Sequence, residues 1–350
     1  MSDRSMDHEG LRLLTELLEI PSPSGYETRM AVHLAERLVE MGYAPEIDAA
    51  GNVLVRVEGR EADRPVHCLA AHIDELGMTV TEVGSDGRLK VDRLGGLFPW
   101  KLGETPVEVL GDLESITAVV SMGSGHSRRE SGSAPDWDRV RVLTGLSAEA
   151  LRARGVRPGS PVVPVRAVRG PFLFGDDADP WVAAWTFDNR LGVVALLQAL
   201  QSLKSRDVLP RSPLIAAFTV EEEIGCLGAK VLAQRERPDV FVAVDGSPLV
   251  PECPVELDGR PAIRSRDRAA TYDQELLAEI CRISDEAGVV LQSVVYAGAA
   301  SDASLVYSAG ACARVACLGY VRASSHGLEA APLAAFDHLA TTVRALLDNL

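Results

Sequence analysis

An alternation constrains this chain more than any other feature. From Leu191 onward, stretches with helical apolar spacing take turns with short apolar runs. The spacing predicts helices at Leu191–Leu203, Ala229–Arg237, Asp273–Gly288 and Ala331–Leu347, and strands at Leu214–Val220, Val240–Val244, Val289–Val295 and Ala313–Leu318. Two further helical patterns, Leu11–Ile20 and Glu27–Met41, flank Pro21-Ser22-Pro23, and the strand-like runs Gly51–Glu58 and Val66–Ala71 follow them. Apolar runs alternating with amphipathic helices bury their faces best as a layered α/β structure. The expected fold is therefore an α/β doubly wound mixed sheet with helices on both faces.

Between about Thr79 and Gly175 the texture changes to short valine-rich stretches, Pro106–Leu110, Ile116–Val120 and Pro161–Val168, separated by Gly, Pro and Ser clusters. One of the separators is the polar tract Ser121–Asp138. Short strands with frequent turn residues predict a small β-barrel-like domain. The expected organisation is one α/β domain, residues 1–78 and 176–350, interrupted by an inserted β-rich domain, residues 79–175.

Several function classes are disfavoured by composition. The net charge is −15, with 50 Asp+Glu against 35 Lys+Arg, and no concentrated basic patch that nucleic acid would require. The six cysteines lie mostly in apolar runs and show no CxxC spacing, so they read as buried thiols. The sequence MSDRSMDHEG lacks the basic and apolar regions of a secretory signal, and no uncharged apolar run approaches membrane-spanning length. The expectation is a soluble cytoplasmic protein with no nucleic-acid or membrane partner.

In open α/β sheets, ligands gather beyond the carboxyl ends of the strands. His72 and Asp74 follow the run Val66–Ala71, Glu221-Glu222-Glu223 follow Leu214–Val220, Asp245 follows Val240–Val244, and His326 comes shortly after Ala313–Leu318. Asp188 stands at the head of the Leu191 helix. Singly, each has an ordinary explanation: Asp188 as a helix cap, Asp245 as a turn residue, His326 as a loop histidine, the glutamates as a solvated face. Together, imidazoles and carboxylates at one sheet edge point to cations, with zinc, cobalt or manganese suited to the donors. Period-two geometry puts His72 and Asp74 on one side, so one can bind an ion while the other orients it.

The segments AHIDELG (Ala71–Gly77), FDNRLG (Phe187–Gly192), TVEEEIGCLGA (Thr219–Ala229), AVDGS (Ala243–Ser247), ASDAS (Ala300–Ser304) and SSHG (Ser324–Gly327) resemble, in order, the tetrahedral dodecameric aminopeptidases of metallopeptidase family 42. Leu227 departs from that pattern, where an arginine is common, and so does Gly327, where Ser or Thr is usual. The resemblance implies two divalent metal ions, one held by His72 and Asp245, the other by Glu223 and His326, with Asp188 bridging both. It also implies Glu222 as general base, Asp74 as the carboxylate behind His72, and Glu221 as a bystander. It further implies peptide substrates and a homo-oligomeric dodecamer built from dimers, with the inserted domain serving dimerisation and substrate access.

Carboxypeptidases and deacylases of N-acyl amino acids share this metal core, but their inserted domain falls late. Here 113 residues separate Asp74 from Asp188 and 80 separate Asp245 from His326, which favours the aminopeptidase arrangement. A glycosidase needs two carboxyls flanking a glycosidic bond, about 5–5.5 Å apart in retaining enzymes, which adjacent glutamates are ill placed to provide. A metal-binding scaffold without activity is the non-enzymatic alternative.

Overall fold

The computed structural model of the chain describes residues 8–124, 126 and 134–350. Two amphipathic helices, Glu9–Leu18 and Thr28–Glu40, each bury one leucine-rich stripe. Strands β1 (Glu46–Ile47), β2 (Val53–Val57) and β3 (His67–His72) follow. After β3 the chain enters a closed barrel of β4 (Gly77–Val83), β5 (Leu89–Leu94), β6 (Pro106–Leu110), β7 (Ser115–Ser121), β8 (Arg141–Leu143) and β9 (Pro161–Pro164), joined in the order β4-β5-β8-β7-β6-β9. Alternation fills the barrel: Ile116, Ala118 and Val120 of β7 point into a core with Val80, Val91, Val107, Val142 and Val162. Of the polar tract Ser121–Asp138, residues 125 and 127–133 lie outside the described residues, as do residues 1–7.

Strands β10 (Phe172–Asp176) and β11 (Asp179–Trp185) then form a small antiparallel sheet that β18 (Leu328–Pro332) completes. The remaining strands are β12 (Leu214–Thr219), β13 (Val240–Val244), β14 (Ser247–Pro248), β15 (Pro261–Arg266), β16 (Gln292–Val295) and β17 (Arg314–Arg322). They join the first three in a nine-stranded mixed sheet ordered β1-β2-β12-β3-β13-β17-β15-β16, with β14 alongside β17. The inner strands β12, β3, β13 and β17 run parallel to one another. They read as unbroken apolar runs because both of their faces are covered. The buried helix Phe187–Ser205 packs on β3 and against Ala334–Asn349 and Glu9–Leu18, while Leu227–Glu236 packs with Asp302–Ser308. Among the described residues, no helix is long and apolar enough to cross a membrane. All six cysteines are free thiols, and all but the half-buried Cys281 are buried.

Four elements differ from the sequence expectation or go beyond it. The helix expected from Ala331 begins at Ala334, and residues 328–332 are strand β18, paired with β11 through Ala331 and Val182. Pro332 disfavours helical dihedrals in the residue before it, which leaves Ala331 extended. Strand β15 and the helix Asp302–Ser308 lie in stretches where no clear periodicity marks them.

A buried ion pair fastens the end of β3 to the segment that leaves the barrel. Glu75, fully buried, accepts Arg169 Nη2 on both carboxylate oxygens at 2.7 and 2.5 Å, and accepts the Ser22 amide at 2.7 Å. Removing one partner of such a pair costs about 3–5 kcal/mol because it strands the other charge. The joint holds β3 and its carboxyl end rigidly against the barrel.

Candidate metal centre

Parallel pairing sets the location of the site. Thr219 at the end of β12 lies opposite His72 at the end of β3, and Ala243 of β13 lies opposite Ala70. Whatever follows these strands therefore emerges at one sheet edge. After β12, Glu221 adopts a left-handed conformation at φ 55°, which is uncommon for a residue with a side chain. Strand periodicity stops there, and the next two glutamates both turn inward instead of alternating. The amides of Glu222 and Glu223 donate to the Asp74 carboxylate at 2.9 and 3.1 Å and fix that turn.

Asp188 is not a helix cap. Thr186, at φ 62°, precedes the helix, and Asp188 and Asn189 keep non-helical dihedrals across a cis peptide bond. The Asp188 amide donates to Glu329 Oε2 at 2.8 Å, and Asn189 Nδ2 donates to the Val244 carbonyl at 2.7 Å. These contacts aim the Asp188 carboxylate at the sheet edge. His326, at φ 56°, is held by its own amide donating to Glu329 Oε1 at 2.9 Å and by its ring Nδ1–H donating to the Gly96 carbonyl at 3.1 Å.

The structure brings together all seven residues singled out from the sequence. His72 Nδ1 lies 3.3 Å from Asp74 Oδ1, which leaves Nε2 facing Asp188 Oδ1 at 3.1 Å and Asp245 Oδ1 at 4.0 Å. His326 Nε2 faces Glu223 Oε2 at 3.7 Å. Three overlapping donor groups result: His72, Asp188 and Asp245; Asp188, Glu223 and His326; and His72, Glu222 and Glu223. In each, the potential ligand atoms lie within 4.8 Å of one another. The first two share Asp188.

Electrostatics mark the centre as short of cations. Burial pushes Glu223 well above the ordinary carboxylate range, and Asp188 and Glu222 push it further. Burial likewise raises Glu222, opposed by His72 and reinforced by Asp245, Asp302 and Asp188. Asp245 is raised by burial and by Asp188, against the pull of Arg264. For Asp188 the balance is reversed: burial works upward, but Arg322 and His72 outweigh it and hold the carboxyl below its usual range. Burial would depress His72, yet its bonds to Asp188 and Asp74 hold it well above its ordinary value. Glu223 Oε1 is buried with no hydrogen-bond partner. Closely spaced carboxylates that repel each other, two imidazoles with free Nε2 atoms and an orphaned oxygen are what a pair of divalent cations would satisfy.

Four further residues shape the centre. Arg322 Nη2 binds Asp188 Oδ2 at 2.5 Å while its Nε sits 3.0 Å from Glu329. Arg264 Nη2 lies 3.2 Å from Asp245 Oδ2. Asp302 accepts from Thr219 Oγ1 at 2.6 Å. Gly96, in the barrel, approaches so closely that a Cβ there would lie 2.5 Å from His326 Nδ1. The arginines and Glu329 carried no sequence signal, since their partners are distant in the chain. The Gly95-Gly96 pair did carry one, as backbone able to approach another element closely. The carboxylates open onto a cavity of about 840 Å³ whose far wall includes Leu249, Val250 and Tyr296.

The model of the M42 glutamyl aminopeptidase family matches residues 51–341. The chain is 32% identical to the glutamyl aminopeptidase of Lactococcus lactis over 66% of its length, and 29% identical to the lysyl aminopeptidase of Pyrococcus furiosus over 67%. It spans 65% of the length of each. Among solved structures it resembles the Pyrococcus horikoshii TET1 peptidase, which is described as assembling into a tetrahedron or a large octahedral shell. The TM-score is 0.86 and the identity 26%, covering 97% of this chain and all of that one.

Proposed function

The chain belongs to the M42 glutamyl aminopeptidase family, and we propose that it is a metal-dependent aminopeptidase that removes the first residue of a peptide. The observation that carries this reading is the pair of three-residue donor groups sharing Asp188. In it, His72 and Asp245 hold one divalent ion, Glu223 and His326 the other, and Asp188 both; zinc best fits the donors, with cobalt or manganese as alternatives. Two such ions supply Lewis acidity toward the scissile carbonyl and a water acidified toward neutrality.

The rest of the work falls to the protein. Glu222 is the general base: burial and its acidic neighbours raise its proton affinity, which suits a group that takes a proton from water and returns it to the leaving amine. Asp74 holds His72 by its Nδ1 side, keeps Nε2 free and sets the glutamate turn through two amides. Arg322 and Arg264 orient Asp188 and Asp245 through one carboxylate oxygen each. Carboxylates around the ions attract the free α-amino group of a peptide and confine cleavage to the first residue.

Release of free amino acid from unblocked and N-acetylated peptides, with and without chelator, tests the reading. Chelator-sensitive turnover of unblocked peptides is expected. Turnover of the acetylated set alone would replace it with an N-acyl deacylase, and activity indifferent to chelator would remove the metals from it. The likeness to the tetrahedral peptidase supports a homo-dodecamer in which the barrel serves dimerisation and substrate access. Twelve subunits of 37.4 kDa weigh about 450 kDa, and light scattering that finds only monomer or dimer rejects that assembly.

A further inference from the structure

One side chain beside Glu222 has no part in the function proposed above. Cys226 is 2% exposed and sits in a left-handed conformation, φ 56°, just ahead of the helix Leu227–Glu236. The amides of Gly225 and Cys226 both donate to the Glu222 carbonyl at 2.9 Å, a tight turn that folds the cysteine back over the glutamate. The Cys226 thiol then donates to Glu222 Oε1 at 3.4 Å. On the other side stands Asp302, 3% exposed, whose Oδ2 is satisfied by Thr219 and whose Oδ1 is buried without any partner. An orphaned, buried carboxylate oxygen is costly unless a cation or a donor comes to it.

We propose that Cys226, Glu222 and Asp302 form a third cation site, selective for soft divalent ions such as zinc and cadmium, and that filling it inhibits the enzyme by capturing Glu222. The potential ligand atoms of the three residues lie within 4.8 Å of one another. A tetrahedral ion with bonds of about 2.3 Å to sulfur and about 2.0–2.2 Å to oxygen sets its ligands about 3.5 Å apart. The thiol–carboxylate distance of 3.4 Å already matches, and the Asp302 oxygen lies within 4.8 Å of both. As the metal–sulfur bond forms, the thiol proton leaves to solvent. Glu222 and Cys226 both line the main cavity, so an ion reaches the site from outside.

Charge and softness decide which ion enters. The centre holds seven buried or half-buried carboxylates (Asp74, Asp188, Glu222, Glu223, Asp245, Asp302 and Glu329), three of which pair with the guanidiniums of Arg264 and Arg322. Five negative charges remain, and two divalent ions neutralise four of them. The one left over, with the thiolate, balances a third divalent ion. Carboxylates alone would also accept manganese or magnesium, whereas the sulfur favours zinc and cadmium. The site thus distinguishes an excess of zinc from an excess of manganese.

The inhibitory part of the proposal rests on the aminopeptidase reading, but the site can be observed without turnover. Holoenzyme already loaded with its two ions is titrated with cadmium while the ultraviolet thiolate-to-cadmium charge-transfer band and the bound metal are measured. A third equivalent and the band are expected in the native chain, and both are lost in Cys226→Ser and Cys226→Ala, with the first two equivalents kept. In parallel, the zinc concentration that halves peptide turnover should rise by at least about tenfold in each variant relative to its own uninhibited rate, since a direct ligand is worth no less than an outer-shell partner. Manganese in the same excess should not inhibit the native chain. A third equivalent and band that persist in both variants, or equal zinc inhibition in all three proteins, would overturn the site. A Cys226-dependent band in a protein that cleaves no peptide would leave the site standing and sink the function proposed for the centre.

Discussion

Replacing Asp74 by asparagine removes a charge and almost no volume, so it isolates what that carboxylate does. Three groups donate to it, the Glu222 amide at 2.9 Å on Oδ1 and Ser24 Oγ at 2.6 Å and the Glu223 amide at 3.1 Å on Oδ2, and His72 Nδ1 pairs with Oδ1 at 3.3 Å. A carboxylate accepts on both oxygens, whereas an amide accepts on one and donates from the other. Turned with its oxygen toward His72 and the Glu222 amide, the substituted side chain keeps that side, lets the Ser24 hydroxyl accept from its NH2 and leaves the Glu223 amide facing a donor. Hydrogen bonds to a charged group contribute about 1.5–3 kcal/mol each and neutral ones about 0.5–1.5 kcal/mol, so the lost bond and the weakening of the two kept ones together cost about 3.5–6 kcal/mol. Part of it loosens His72 and should weaken metal binding about 10–100-fold, as removal of such supports does. The rest destabilises the fold. Competition with a chromogenic chelator reads the first quantity, and denaturant unfolding of the metal-free protein reads the second. His72 and Ser24, working against burial, hold the Asp74 carboxyl below its ordinary value. The stability it confers is therefore present above the unfolded value of about 3.9 and fades as pH falls through the lower folded value. Asp74→Asn should erase that acid limb. Metal affinity within twofold of native, with His72 intact, would refute the role given to Asp74.

Four other substitutions test the centre and the core beneath it. Glu222→Gln should lower turnover by about 10²–10⁴-fold while both metals stay bound, and Glu221→Gln should do little; the reverse order in a rate assay would show the register of the two glutamates to be wrong. Gly96→Ala places a methyl group 2.5 Å from His326 Nδ1 and 2.6 Å from Cε1, so the ring must move; one metal equivalent should be lost by elemental analysis, and an unchanged stoichiometry would remove His326 from the site. His67 is buried in β3 away from the centre, and burial, aided by Arg64 and Arg314, pushes its pKa down to about 4. Its neutral form is favoured in the fold, so its contribution is present above the unfolded value of about 6.5 and is lost, by about 3 kcal/mol, as pH falls toward 4. Denaturant midpoints across that range should fall less steeply in His67→Phe than in the native chain, and parallel curves would contradict the assignment.

The layered fold was legible because its inner strands advertise themselves. Val240–Val244 is wholly apolar and Leu214–Thr219 is apolar up to its last residue since helices cover both faces, and a run of that kind can be recognised without partners. Strand β15 was not, because its segment PAIRSR carries two arginines, one of them, Arg264, pointing at Asp245 instead of at solvent. The last two residues of β18, Ala331 and Pro332, fall within the expected helix because alanines suit helical spacing; the proline is the signal against it, since it leaves Ala331 extended and free to pair with β11.

The centre divides along the same line. His72, Asp74, Glu222, Glu223 and Asp245 follow strand ends, and since parallel strands finish at a common edge, sequence position alone implies proximity. Arg264 and Glu329 lie within β15 and β18, which pair antiparallel with β17 and β11, and Arg322 is the last residue of β17, where nothing acidic or imidazole-bearing follows at once. Nothing in their local pattern tells that a buried arginine is paired with a carboxylate from a segment far away in the chain. Glu329 shows what this costs a sequence reading. A single carboxylate accepts from the Asp188 amide and the His326 amide and forms an ion pair with the Arg322 guanidinium, and so sets the pose of one residue from each donor group that shares Asp188. The donor set could be anticipated from chain order; the rigidity that keeps Asp188, Asp245 and His326 aimed before any cation arrives belongs to Arg264, Arg322 and Glu329.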